Sequence, residues 1–141
     1  LPSGLTAAKW QLSNYVSWVI FIMATIILAE DDSSMRSFLQ RALEKAGHVV
    51  SSVDRGTAAL PLIATGDYEL LLTDIVMPEM DGIELAQRAS TLAPEMRVMF
   101  ITGFAAVALN GRNKAPKDAK VLSKPFHLRE LVGEIDRLFA A

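Results

Sequence analysis

Cysteine is missing from all 141 residues. That excludes disulfides, thiolate catalysis and Cys-based metal sites, and it fits a reducing cytoplasm, the expected location. Histidine is scarce: His48 and His127 stand far apart and form no ligand-spaced pair. Charge of one sign is lacking too. A net charge of −2 advertises neither nucleic acid nor an anionic membrane as a partner. The apolar run from Tyr15 to Ala29 has 15 residues, short of the roughly 20 a spanning helix needs. What is present, 51% hydrophobic and 21% charged residues, is the composition of one globular domain with room for a core.

Residues 1–22 differ from the rest and are read as an N-terminal extension. Leu1 to Asn14 is polar and mixed, and the apolar run follows. Met23-Ala24-Thr25 reads as a natural start. The preceding segment is then an apolar arm, packing on the domain or on a second copy as a homodimer contact, or else a cloning artefact. A signal peptide fits the pattern less well, because cleavage near Ala29 would remove the first strand.

Residues 23–141 alternate regularly. Ile26-Ile27-Leu28-Ala29 is a strand, followed by Glu30, Asp31 and Asp32. Met35, Phe38, Leu39, Ala42, Leu43 and Ala46 then mark one helical face, with Ser33 or Ser34 as cap and Gly47 as stop. Residues 48–53 read as a strand. A helix over 57–64 is disturbed by Pro61. Leu70 to Thr73 is a buried strand with Asp74 at its end. Asp81 and Glu84 signal a helix start by a capping-box pair. Val98–Thr102 and Ala119–Ser123 are further strands, Phe104–Leu109 a short helix, and Leu128 to Phe139 an amphipathic helix. Five strand–helix units argue for an α/β domain, a parallel sheet with helices on both faces. Nothing after the fifth helix reads as an output domain.

In such a sheet the strand ends meet at one edge, where ligands bind. That edge gathers Glu30, Asp31, Asp74, Thr102 and Lys124. The plainer reading of Asp74 is a loop cap, but a carboxylate ending a buried strand needs partners. Two carboxylates about 4 Å apart repel by roughly 4 kcal/mol at an effective dielectric near 20. Three together take up protons or hold a divalent cation, and an all-oxygen set suits Mg²⁺. With an ammonium and a hydroxyl alongside, these are the parts that hold a phosphoryl group around a nucleophilic carboxylate.

The motifs Ala29-Glu30-Asp31-Asp32, Leu72-Thr73-Asp74-Ile75-Val76-Met77-Pro78 with Asp81-Gly82, Ile101-Thr102-Gly103 and Ser123-Lys124-Pro125-Phe126 resemble those of CheY-like response regulator receiver domains. The resemblance spans residues 24–140. It implies the doubly wound, five-stranded, flavodoxin-like (βα)5 fold with strand order 2-1-3-4-5. It also implies that Asp74 accepts a phosphoryl group from a phosphohistidine on a histidine kinase or phosphotransfer protein. Glu30 (through water), Asp31, Asp74 and the Val76 carbonyl would hold Mg²⁺. Lys124 and Thr102 would contact the phosphoryl group, with Gly103 and Val76 beside it, and Lys124-Pro125 resembles the family's cis peptide. The domain is then no enzyme on a separate substrate. It catalyses its own phosphorylation and slow dephosphorylation.

Two departures stand out. Position 121, where many receivers carry an aromatic switch residue, is Val. Val76 and Phe104, which would flank the phosphoryl group, are apolar and cannot position water. The stretch from Ile101 to Phe126 is similar to alphaproteobacterial single-domain regulators of the CpdR type. That likeness implies a phosphorylation-controlled adaptor for the ClpXP protease, and the terminal Ala140-Ala141 resembles tags that protease recognises. The competing class is a phosphorylation-independent binding module on the same fold. An aspartyl-nucleophile phosphatase would need an acid where Val76 stands.

Overall fold

The computed structural model describes residues 23–103 and 119–140. The expected apolar arm and its homodimer contact, the short helix over 104–109 and Phe104 itself lie outside the described residues. The elements are β1 (Thr25–Ala29), α1 (Ser33–Lys45), β2 (Val49–Val53), α2 (Gly56–Thr65), β3 (Leu70–Asp74), α3 (Gly82–Leu92), β4 (Arg97–Thr102), β5 (Lys120–Ser123) and α4 (Leu128–Ala140). The strands form one parallel sheet in the order β2-β1-β3-β4-β5. This is the doubly wound order that the receiver resemblance implies. No helix among the described residues is long and apolar enough to cross a membrane.

Central strands covered on both faces become continuous apolar runs. Ile26-Ile27-Leu28-Ala29 and Leu70-Leu71-Leu72 are fully buried. Side chains alternate across the sheet. Ile27, Ala29, Leu71 and Phe100 pack with Ala59 and Ile63 of α2 and Leu85, Ala86 and Ala89 of α3. Ile26, Leu28, Leu70, Leu72, Met99 and Ile101 face the other way, onto Leu39 and Leu43 of α1 and Leu131, Ile135 and Leu138 of α4.

The helix ends depart from expectation in one place. Asp32, not Ser33 or Ser34, caps α1, its carboxylate accepting the Met35 N–H at 2.9 Å. Asp32 is the last residue with extended backbone, and the two serines already lie in the first turn. Gly47 ends α1 as expected. Its φ of +103° lets the Gly47 N–H reach Glu44 O at 3.0 Å and the His48 N–H reach Leu43 O at 3.0 Å, a Schellman closure. Pro61 sits inside α2 without ending it, and its carbonyl accepts the Thr65 hydroxyl at 2.9 Å.

That closure drives His48 inward. Its Nδ1 accepts the Ala24 N–H at 2.9 Å, tying the entrance of β1 to that of β2. The proton therefore sits on Nε2, a buried atom with no hydrogen-bond partner among the described residues. Burial holds the pKa of His48 below 6.5, against opposing pulls from Asp136 and Glu69. A lowered folded pKa gives stability that is complete above 6.5 and lost as pH falls through the folded value. Urea unfolding at about pH 7.5 and 5.5 should show a larger acid-side loss for the native chain than for His48→Asn. Equal losses would show that His48 is not the group responsible.

Candidate functional site

Register places the site. Ala29 pairs with Thr73 across β1 and β3, so the next residues, Glu30 and Asp74, come level at the carboxyl edge. Asp74 pairs with Ile101, and Thr102 pairs with Ser123, which puts Lys124 just beyond the same edge. The Lys124 N–H donates to the Thr102 carbonyl at 2.8 Å, fixing where its side chain departs. The Lys124–Pro125 peptide is cis.

The Lys124 ammonium lies between two acids, 3.2 Å from Asp74 Oδ2 and 3.5 Å from Glu30 Oε1. Glu30, Asp31 and Asp74 each offer a carboxylate oxygen within 4.8 Å of the others. Glu30 is almost fully buried and Asp74 nearly so, while Asp31 is exposed. Asp74 Oδ1 accepts the Ile75 N–H at 2.7 Å, which leaves Oδ2 to the lysine. Glu30 Oε2 accepts the Asp32 N–H at 3.2 Å.

Glu30 is pushed up to about 7. Burial is the main cause, aided by the charge of Asp74 and the contact with Asp31. The Asp32 N–H and Lys124 pull the other way. Lys124 itself stands above its ordinary value. Burial draws it down, but the charges of Glu30 and Asp74 outweigh that. One ammonium thus serves a cluster of three carboxyl groups, and burial together with the charge of Asp74 favours the protonated form of Glu30. A divalent cation meets the same need, and the donors are all oxygen, the set hard cations prefer.

Of the other residues singled out from the sequence, Thr102 is buried at the end of β4. Gly103 is exposed, and a side chain there would meet open space. Val76 is 57% exposed beside the acid edge, and Val121 is exposed on β5.

Two contributors escaped the sequence reading. The first is Arg36, whose Nη1 donates to the Glu30 carbonyl at 2.8 Å. The second is the true reason for Gly82. Asp81 caps α3 by accepting the Glu84 N–H at 2.8 Å, as expected, while the Glu84 carboxylate turns to Arg88 at 2.8 Å. To reach that cap the chain makes a tight turn, with the Met80 N–H on Pro78 O at 2.8 Å and Glu79 at φ +69°. Gly82 then comes back over β3, and its N–H donates to Ile75 O at 2.7 Å. A Cβ on Gly82 would lie 2.0 Å from the Asp74 carbonyl oxygen. A glycine followed by a capped helix hints at a turn, but nothing in one sequence shows so close an approach.

The family described as the response regulator receiver domain matches residues 26–136. The response regulator receiver protein CpdR of Brucella abortus is 60% identical over 119 residues, covering 84% of this chain and 99% of that protein. The DNA-binding transcriptional regulator NtrC of Azospirillum brasilense is 34% identical over 119 residues, and the match spans only 24% of its length. Among solved structures, a response regulator receiver protein from Sinorhizobium medicae aligns with TM-score 0.76 at 29% identity, covering 84% of this chain and 96% of that one. The receiver domain of the sensor histidine kinase PA1611 from Pseudomonas aeruginosa aligns with TM-score 0.75 at 22% identity, covering 84% and 99%, a likeness of fold. In that structure a magnesium ion is coordinated in the active site cleft.

Gly82→Ala should destabilise the domain by at least the about 1–3 kcal/mol typical of overpacking, because the clash is with backbone. Urea unfolding at neutral pH measures it. A variant as stable as the native chain would mean that the β3–α3 turn yields easily and does not constrain Asp74.

Proposed function

The chain belongs to the response regulator receiver family, and on that footing we propose that Asp74 is its phosphoacceptor. The observation that supports this most directly is the Lys124 ammonium set between Asp74 and Glu30, with Asp31 completing the acidic cluster. In the proposed reaction an Asp74 carboxylate oxygen attacks the phosphorus of a phosphohistidine on a histidine kinase or phosphotransfer protein. A P–O bond forms and the P–N bond breaks. Its electron pair stays on the imidazole, which takes a proton. The product is an aspartyl phosphate.

Each residue has a task in this reading. The Ile75 N–H orients Asp74 by holding Oδ1. Lys124 offsets charge on the phosphoryl oxygens and draws them toward β5. Thr102, at the end of β4, offers a hydroxyl to the same group. Mg²⁺ would be held by Asp31 and Asp74 directly, by Glu30 through water and by the Val76 carbonyl, supplying positive charge opposite the lysine. The output we propose is altered partner binding, in the form of delivery of substrates to a ClpXP-type protease. That is the role implied by the likeness to single-domain regulators of the CpdR type.

Intact mass after incubation with acetyl phosphate and Mg²⁺ tests the chemistry. One added phosphoryl group is expected on the native chain, and none on Asp74→Ala or in EDTA. No addition, under conditions that modify a known receiver, would overturn the assignment.

Loss of the phosphoryl group should be slow, because Val76 stands exposed at the site and cannot orient water. Val76→Asn should speed dephosphorylation by about tenfold, short of the ~10²–10⁴ of a fully positioned base. The rate is read from the decay of the phosphorylated mass, and an unchanged half-life would remove Val76 as the cause.

A further inference from the structure

The β1–α1 turn carries two of the three acids, and a side chain from outside the turn holds it. Besides the contact of its Oε1 with Lys124, Glu30 is attached at three points. Its N–H donates to Val53 O at 3.1 Å, carrying the sheet ladder one step past its last pair. Its Oε2 accepts the Asp32 N–H. Its carbonyl accepts Nη1 of Arg36 at 2.8 Å. We propose that Arg36 is a positioning residue of the acidic cluster, fixing the turn and so the reach of Glu30 and Asp31 toward a divalent cation. This rests on reading the acids as Mg²⁺ ligands.

The lever is short and stiff. The Arg36 N–H donates to Asp32 O at 2.8 Å in the first turn of α1, and Asp32 caps that turn. The side chain therefore starts from backbone that the turn itself anchors, and it folds back to the strand end. Arg36 is half-buried, which shields the bond from water. The charge of Arg36 also reaches Asp54 of the β2–α2 loop. The carboxyl of Asp54 is held below the usual carboxylate range, mainly by Arg55 and to a small extent by Arg36.

Arg36 and Lys124 thus play different parts. Lys124 meets the Glu30 and Asp74 carboxylates themselves, whereas Arg36 meets the main chain of Glu30. The guanidinium grips the main chain, so its effect is on where the carboxylates sit. Loss of a hydrogen-bond partner behind a metal ligand costs affinity even when every ligand remains.

The test uses the full chain, with Arg36→Met (stem kept, donor lost) and Arg36→Lys (one donor kept). Mg²⁺ alone is the probe, its Kd measured by titration calorimetry, with urea unfolding midpoints taken in EDTA. Arg36→Met should raise the Mg²⁺ Kd about tenfold, the low end of the ~10–100-fold known for such partners, with Arg36→Lys between it and the native chain. The midpoints in EDTA should stay close together. A Kd for Arg36→Met within about twofold of native overturns the proposal, the usual effect being larger. So does weaker binding matched by a comparable fall in the EDTA midpoint for both variants, since that marks a general stabiliser. A native chain that binds Mg²⁺ but takes no phosphoryl group would sink the proposed function and leave this inference standing. A native chain that binds no Mg²⁺ overturns it.

Discussion

The Lys124 ammonium can touch Asp74 and Glu30 together only because the sheet is wound in the order β2-β1-β3-β4-β5. β1 and β3 are neighbours in space although a strand and two helices separate them in sequence. Parallel register brings their ends level, and each end carries a buried carboxylate. The residue after β5, at the sheet edge, then supplies the ammonium of Lys124. Separating any of these strands would leave a buried acid without its counter-charge, which costs more than the pair itself contributes. The acidic edge and the winding of the sheet are therefore aspects of one constraint.

Around that contact the backbone does as much as the side chains. The Ile75 N–H, the Asp32 N–H and the Thr102 carbonyl each fix one member of the group. Gly82 lies against the Asp74 carbonyl so closely that the β3–α3 turn and the strand end form one packed unit. The positive φ of Glu79 sits in that turn, a conformation of the kind that costs about 1–3 kcal/mol and persists where surroundings enforce it.

Much of this was legible in the sequence because its signals are local. Continuous runs such as Leu70-Leu71-Leu72 announce strands covered on both faces, and Gly47 and Asp81 mark helix ends by chemistry contained in a few residues. The order of acids, threonine and lysine at successive strand ends carried the family resemblance. What escaped was of two kinds. The cap of α1 fell to Asp32 rather than a serine, a choice among adjacent capping residues that only backbone angles settle. Arg36 and Gly82 escaped because their roles are contacts with main-chain atoms of other elements, and such contacts leave no periodicity behind. Pro61, read as disturbing a turn within its helix, does stand inside α2, which continues past it to Thr65.

The sheet also works as a partition. Odd and even residues of the central strands feed two separate interiors, one closed by α2 and α3 and the other by α1 and α4. Close-packed interiors transmit a change in side-chain volume to their neighbours, but here the neighbours stop at the backbone wall. A lineage can therefore repack one compartment while the other is left alone. The acids at the rim hang from the wall itself, so they keep their spacing through such drift.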